Sequence, residues 1–326
     1  MSLTPPLQKL PPVVALVGST ACGKTDLALR IAQRAKAHII SCDSLLVYKD
    51  LNIGTAKPSI AELNSVPHHA INIVTADVPY TAGDFVRHTR PIIDDLVAKQ
   101  IPVLIVGGTG FYLKALLFGI WDAPPTQPQF RATLDEKTQH LPLDERGPFL
   151  YKELLEKDPT YAAKISPHDH YRVVRALEII FASGKTVTEQ SNESRLQNPF
   201  PHAYEVFGIR RHPLDLQRRI LERANAMFAA GLVAETKSLL TKYPEVPKSM
   251  KCVGYSEVIE HLQGRMTLME CRERVEISTR QLAKKQKTFF KTFPGIQWVD
   301  LPANEEQLEH DIFSLLTGRE PTHRVI

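Results

Sequence analysis

A chain of 326 residues is long for one hydrophobic core and short for three, so two structural units are expected. Hydrophobic residues at 43% and charged residues at 23% are the proportions of an ordinary soluble globular protein. Apolar runs such as Val13–Val17 and Val103–Val106 fall far short of the roughly 18 residues needed for a helix to span a bilayer. Four scattered cysteines, Cys22, Cys42, Cys252 and Cys271, contain no C-x-x-C pair. Neither a zinc site nor a disulfide framework is implied, and reduced thiols fit a cytoplasmic protein. The net charge of +4 is unevenly placed, because Glu205–Lys291 holds 17 Lys+Arg against 10 Asp+Glu. That segment fits a polyanionic partner or a solvated helix face.

Met1–Pro12 carries one lysine and several prolines, with no apolar stretch behind a basic start. It reads as a short disordered lead-in and not as a secretory signal. Pro12–Gly18 is a β-branched apolar run ending in glycine, the pattern of a buried parallel strand. Thr25–Lys36 has helical periodicity, with Leu27, Ile31 and Ala35 on one face. His38–Cys42 is a second strand, and Phe85–Gln100 a helix that Pro91 is expected to kink or restart. Ile101–Val106 is a third strand, followed by Gly107-Gly108-Thr109-Gly110 and a helix through Leu117. This alternation predicts a parallel sheet covered by helices on both faces. At Asp122–Pro128 proline punctuation marks a boundary, and from Phe130 to about Ser194 the pattern is helical throughout. The expected division is a core formed by residues 1–122 and 200–326 with an all-helical insertion at 123–199. Tyr204–Ile209 is a returning strand, Leu214–Ala230 and Cys271–Phe293 are basic amphipathic helices, and Gln297–Asp300 is a last strand.

The segment Gly18-Ser19-Thr20-Ala21-Cys22-Gly23-Lys24-Thr25 fits G-x-x-x-x-G-K-[ST] between a strand and a helix, so the fold class is P-loop NTPase-like. The glycines let backbone N–H groups close around phosphate oxygens, and the following helix aims its positive end at them. Lys24 supplies a point charge, and the Thr25 hydroxyl is a Mg²⁺ ligand in such loops. Gly184-Lys185-Thr186 repeats the last three letters but follows a helix, so it reads as a helix C-terminus and turn. The strand that would carry a metal-binding aspartate in an ATPase ends in Gly107-Gly108-Thr109, without an acid. The acid follows the second strand instead, at Asp43. A carboxylate beside a phosphate loop can take a proton from a nucleophile; it can equally be a turn or cap aspartate.

Several stretches together resemble the bacterial-type tRNA dimethylallyltransferases, also called tRNA isopentenyltransferases. They are the phosphate loop, Ile40–Pro58 (ISCDSLLVYKDLNIGTAKP), Tyr80–Phe85 (YTAGDF) and Gly107–Leu117 (GGTGFYLKALL). Further along come Tyr171–Glu178 (YRVVRALE), Ser183–Glu189 (SGKTVTE), Lys251–Tyr255 (KCVGY) and Arg280–Gln286 (RQLAKKQ). The resemblance spans nearly the whole chain in the family's order.

The resemblance implies an enzyme whose phosphate loop, Gly18, Ser19, Thr20, Ala21, Cys22, Gly23, Lys24 and Thr25, holds the diphosphate of dimethylallyl diphosphate with Mg²⁺ on Thr25. The N6 amine of the tRNA adenine just 3′ of the anticodon displaces that diphosphate. Asp43 matches the family's general base, Thr109 a threonine near the reacting centre, and Arg219 and Arg223, with Lys24, the cations on the leaving group. Arg218 is an equally good cation by sequence. Residues matching the family's tRNA contacts are Asp43, Ser44, Leu45, Leu46, Thr109, Arg131, Tyr171, Arg172, Val173, Val174 and Arg175. Lys251, Cys252, Val253, Gly254, Tyr255, Ser256, Lys284, Lys285 and Gln286 complete the set. The helical insertion is expected to touch the tRNA anticodon loop, and the protein to act as a monomer. Tyr112 and Leu113 are candidate walls for the prenyl chain or plain core residues.

Three positions depart from the family pattern: Tyr171 for glutamine, Ser256 for arginine and Asn72 for aspartate. Two neighbouring enzyme classes share part of the pattern. An adenylate isopentenyltransferase shares the loop and Asp43 but needs neither the insertion nor the basic half, and a small-molecule kinase leaves Thr109 unexplained. A nucleotide-gated RNA-binding module without chemistry is the reading from outside enzymology.

Overall fold

The computed structural model describes residues 11–119, 123–197 and 200–319. The expected lead-in therefore lies almost wholly outside the described residues, as does Asp122 at the expected boundary. Strand β1 (Val13–Gly18) is buried along its whole length and feeds helix α1 (Lys24–Ala35) through the phosphate loop. Next come β2 (His38–Ser41), the short α2 (Ile60–Ser65) and the two-residue β3 (His68–His69). Helix α3 (Ala82–Ala98) starts on a capping box made by Thr81 and Asp84 and runs on through Pro91. The predicted restart is therefore absent: Pro91 removes one N–H donor, while Phe85, Thr89 and Ile93 keep a buried face on both sides of it. Strand β4 (Val103–Gly107) and α4 (Gly110–Phe118) follow.

Helices α5 (Pro128–Thr138), α6 (Leu143–Lys157), α7 (Pro159–Ala162), α8 (His170–Ser183) and α9 (Val187–Gln197) come in succession. Gly184, in the left-handed region at φ 69°, caps α8, so the second Gly-Lys-Thr is a helix stop. The chain then returns through β5 (Tyr204–Arg211), α10 (Pro213–Ala229), α11 (Leu232–Lys242), α12 (Tyr255–Leu262), the long α13 (Leu268–Lys291), β6 (Ile296–Leu301) and α14 (Glu305–Leu316).

The chain divides into two compact units, Met1–Leu116 with Pro201–Ile326, and Leu117–Phe200. The first holds a six-stranded sheet of order β3-β2-β4-β1-β5-β6 with every pairing parallel. Leu27, Ile31, Leu308, Ile312 and Leu316 from α1 and α14 cover Val14, Leu16, Leu104 and Ile209 of the sheet. A separate core joins Val47 and Leu51 to Phe228, Leu232, Tyr255, Val258 and Val275 from α10 to α13. The second unit is helical and closes on its own core of Leu134, Leu150, Leu154, Val173, Leu177 and Ile179. Among the described residues, no helix is long and apolar enough to cross a membrane.

Candidate active site

All strands point their C-terminal ends the same way, and in such sheets ligands bind in the crevice outside those ends. There the phosphate loop leaves β1. Ala21 at φ 61° and Gly23 at φ 93° turn the backbone before Lys24 opens α1. A Cβ on Gly18 would lie 2.8 Å from Cys22 Sγ, so the buried Cys22 packs where only glycine leaves room. Lys24 Nζ donates to Ser19 O at 3.1 Å, folding the lysine back across the loop. From α13, Gln286 accepts Thr20 N–H at 2.7 Å and donates to Gly108 O at 3.0 Å, which ties the loop to the end of β4.

Pairing of β2 with β4 brings the second and third sequence motifs together. Cys42 N–H donates to Val106 O at 2.7 Å, and a Cβ on Gly107 would collide with Cys42 O. Beyond this crossing Asp43 Oδ1 accepts Leu45 N–H at 2.9 Å, so the aspartate does shape its own turn. Asp43 also lies on the cavity wall. Thr109 Oγ1 accepts Ser44 N–H at 3.0 Å, and Thr109 is not among the residues lining the cavity.

The cavity measures about 360 Å³ and lies wholly within the sheet-containing unit. Thr20, Lys24, Thr25, Asp43 and Arg223 give it a polar end, and Leu45, Leu46, Ala224, Met227, Val275 and Leu282 supply apolar wall. Tyr112 and Leu113 are core residues instead, with Tyr112 stacked on Phe85 at 4.7 Å and Leu113 fully buried. The three arginines of α10 are distinguished by their partners. Arg218, 59% exposed, is held by Asp215 at 2.7 Å and Glu222 at 2.6 Å on the outer face. Arg219 Nε donates to Ala21 O in the phosphate loop at 2.9 Å, and Arg223 Nη2 donates to Thr55 O at 3.2 Å. Burial lowers the pKa of Arg223 and the nearby Asp43 charge opposes this; a guanidinium stays protonated through such a shift.

Thr25, Ser41 and Asp43, which carry hydroxyl and carboxylate oxygens, line the same cavity, and the buried Ser41 Oγ has no hydrogen-bond partner among the described residues. Oxygen donors of this kind suit a hard cation such as Mg²⁺. Among the described residues no cluster of three or more His, Cys, Asp or Glu side chains could cage a metal alone. The donors present therefore fit a cation that arrives with phosphate oxygens, as Mg²⁺ commonly does.

A second layer holds the cavity in shape, and of its members composition and motifs did not single out Glu235 or Arg211. Glu235 accepts Ile53 N–H at 2.9 Å, Gly54 N–H at 3.2 Å and the Tyr255 hydroxyl at 2.5 Å. A Cβ on Gly54 would lie 2.5 Å from the Tyr255 ring. Tyr255 is thus fully buried, and burial followed by the Glu235 bond pushes its hydroxyl pKa up. Lys57 Nζ donates to Tyr48 O and to Asn72 Oδ1, both at 2.6 Å, and burial pulls its pKa down to about 8. Arg211, bonded to Cys22 O of the phosphate loop, also belongs to this layer. Only side-chain geometry finds Glu235 and Arg211, because a glutamate on a helix and an arginine at a strand end carry no spacing signal of their own.

The residues matched to RNA contacts separate into offered and enclosed groups. Lys251, Lys284 and Lys285 are exposed, Ser256 is half-buried, and Cys252, Val253 and Gly254 line the cavity. In the helical unit Tyr171 is 59% exposed, and Arg172 is exposed with Asp169 at 3.3 Å. Val173 and Val174 are core, and Arg131 and Arg175 both grip the buried Glu178.

A phosphate-binding loop heading a parallel sheet, without an acid at the end of β4 and with Asp43 and two arginines gathered at the loop, defines a P-loop-type transferase. The model of the family described as IPP transferase matches residues 46–293, and that described as isopentenyl transferase matches residues 11–72. The chain is 39% identical over 297 residues to tRNA dimethylallyltransferase of Geobacter sulfurreducens, covering 91% of this chain and 94% of the relative. It is 36% identical to the enzyme of the same name from a Synechocystis strain, covering 95% and 97%. A tRNA isopentenylpyrophosphate transferase structure from Bacillus halodurans aligns with TM-score 0.67 at 29% identity, over 94% of this chain and 97% of that one. A eukaryotic dimethylallyltransferase, captured acting on tRNA, aligns with TM-score 0.80 at 25% identity, over 96% and 81%. The chain belongs to the IPP transferase family, whose members in these comparisons are tRNA dimethylallyltransferases, and the resemblance read from its motifs is borne out.

Proposed function

We propose that this enzyme transfers the dimethylallyl group of dimethylallyl diphosphate to N6 of the adenine just 3′ of the anticodon in tRNA. The observation that carries the reading is one cavity lined by phosphate-loop residues, Asp43 and Arg223 in a chain of this family. N6 attacks C1 of the prenyl group, the N–C bond forms, and the C1–O bond breaks with its electron pair leaving on diphosphate. The N6 proton, acidified as nitrogen becomes cationic, goes to the Asp43 carboxylate. An exocyclic amine is a poor nucleophile, so the rate must come from positioning and from charge neutralisation on the leaving group. Lys24, the loop amides, Arg219 and Arg223 supply that neutralisation, and the apolar wall receives the prenyl chain and excludes water. Mg²⁺, held by Thr25 and the substrate's own oxygens with Ser41 beside it, would add further charge to the leaving group.

The adenine must leave its stack to reach this depth, so base flipping accompanies binding. Lys251, Lys284 and Lys285 supply phosphate contacts, and Tyr171 and Arg172 of the helical insertion reach the anticodon loop, where an aromatic side chain can stack on a base. Residues 1–122 and 200–326 form the catalytic core in this reading. The enzyme works as a cytoplasmic monomer.

The test offers purified enzyme, Mg²⁺ and radiolabelled dimethylallyl diphosphate to an unmodified tRNA transcript and, in parallel, to AMP. Label is expected on the tRNA alone and lost when the target adenine is replaced by guanine. Label on AMP alone overturns the tRNA assignment.

A further inference from the structure

Arg211, the last residue of β5, lies against the outer side of the phosphate loop. Its Nε donates to Cys22 O at 2.6 Å, while Arg219 Nε donates to the preceding carbonyl, Ala21 O, at 2.9 Å. A loop that turns its N–H groups inward onto an anion turns its carbonyls outward, and those need partners when buried. Two left-handed residues, Ala21 and Gly23, produce that turn, and a Cβ at Gly23 would meet Arg211 Nη2 at 3.0 Å and Arg219 Nη2 at 3.3 Å. The two guanidinium groups therefore flank the same glycine. The side chain of Arg211 is only 8% exposed and is fixed by Asp215, at 2.8 Å from Nη1, with Glu305 at 3.9 Å from Nη2.

We propose that Arg211 is a positioning residue for the diphosphate: with Arg219 it clamps the outward carbonyls of the phosphate loop and so keeps the inward N–H groups preorganised. This rests on the reading that the loop holds the diphosphate of the prenyl donor. Charge-assisted bonds to carbonyls are short and strong, so the clamp stiffens the loop before substrate arrives. The charge of Arg211 is itself balanced by Asp215 and Glu305, so its contribution is the stiffness of the loop. Arg211 is set apart from Arg223, which lines the cavity itself.

The experiment measures inorganic diphosphate affinity with Mg²⁺ by calorimetry, the donor KM and kcat, tRNA affinity and the melting temperature, for wild type, Arg211→Met, Arg211→Lys and Lys24→Ala. Arg211→Met should weaken diphosphate binding roughly tenfold, the scale of one charge-assisted hydrogen bond, and raise donor KM in step. tRNA affinity should stay unchanged, and Arg211→Lys should recover part of the loss. Unchanged diphosphate affinity in Arg211→Met overturns the proposal. So does a matching loss of tRNA affinity and melting temperature, which makes Arg211 a general brace. If Lys24→Ala also leaves diphosphate affinity unchanged, the loop itself does not hold the diphosphate and the underlying reading falls. If only Lys24→Ala weakens it, that reading stands and the role of Arg211 alone is rejected.

Discussion

Thr109 Oγ1 accepts the backbone N–H of Ser44 at 3.0 Å, so a side chain just past β4 fixes the turn that presents Asp43. The bond spans 65 residues and makes the geometry of the aspartate depend on the register of two neighbouring strands. Thr109→Val removes this acceptor at nearly constant volume, and Thr109 is not among the residues lining the cavity. The expected result is a fall in kcat of about tenfold, the size of one lost hydrogen bond to a positioned group, with donor KM nearly unchanged. Thr109→Ser should restore most of the rate. A larger rise in KM than fall in kcat would mean that the hydroxyl reaches the donor directly.

Asp43 uses one carboxylate oxygen on Leu45 N–H, a bond that an asparagine can keep through its carbonyl. Asp43→Asn therefore separates turn geometry from proton removal. Turnover should fall more than about a hundredfold, the usual scale for losing a general base, with tRNA affinity within about twofold of wild type. Single-turnover rates and a filter-binding assay on the same preparation decide it. Equal losses in both would reassign the aspartate to recognition.

Lys251, Lys284 and Lys285 are exposed on the basic half of the chain. A lysine that neutralises a phosphate releases counterions, so each substitution to alanine should lower the slope of log affinity against log salt by about one, with single-strand contacts giving somewhat less. Titrating tRNA binding across salt concentrations reads this directly. A slope unchanged by all three substitutions would turn this charge back into a solvated helix face.

The sheet was legible because apolar runs of β-branched residues ending in glycine recur at β1 and β4, and period and length decide such strands. Strand β3 was not, since the pair His68–His69 is too short for any period. The loop, Asp43 and the basic helices were legible as residue types in order. Which arginine of α10 faces the loop was not, because Arg218 and Arg219 are adjacent and only the pairing with Asp215 and Glu222 turns Arg218 away. Tyr112 was open between tunnel wall and core, and its ring stacks on Phe85 in the core; side-chain direction on a short helix is not written in composition.

Glu235 holds the segment around Gly54 through two backbone N–H groups and the buried Tyr255 hydroxyl. Gly54, Thr55, Ala56 and Pro58 line the cavity, so this clamp shapes the site without facing it. Glu235→Ala leaves the Ile53 N–H and the Tyr255 hydroxyl short of an acceptor, while Gly54 N–H keeps the Tyr255 oxygen at 3.2 Å; each buried group left unpaired costs about 1–3 kcal/mol. Tyr255→Phe removes the bond to Glu235 and the one accepted from Gly54 N–H, but Gly54 keeps Glu235 as acceptor, so the cost should be about 1 kcal/mol. Chemical denaturation should show the glutamate variant as much the weaker, with kcat/KM reduced in both. Equal stability of Glu235→Ala and wild type would show that water replaces the clamp.

Glu178 is fully buried in the helical unit and collects Arg131 through Nε and Nη2 at 2.7 and 2.9 Å, Arg175 at 2.5 Å and the Gln127 N–H at 2.7 Å. Burial by itself raises a carboxyl pKa, but the hydrogen bonds from Arg131, Arg175 and Gln127 outweigh it and hold Glu178 at about 2, against an ordinary 4.5. A carboxyl whose folded pKa is depressed lends stability that is complete above its unfolded pKa and disappears as pH falls through the folded one. The window for Glu178 therefore runs from 4.5 down to about 2. Glu178→Gln should destabilise the unit at neutral pH by about 2 kcal/mol, below the range for a wholly buried pair because the Arg131 side chain is 31% exposed. The difference from wild type should shrink steadily through that window. A global melt mixes the two units, so hydrogen exchange of amides in α5 and α8 is the suitable readout. A difference that persists unchanged to the bottom of the window would mean that the glutamine variant fails by shape, and that the charge on Glu178 contributes nothing.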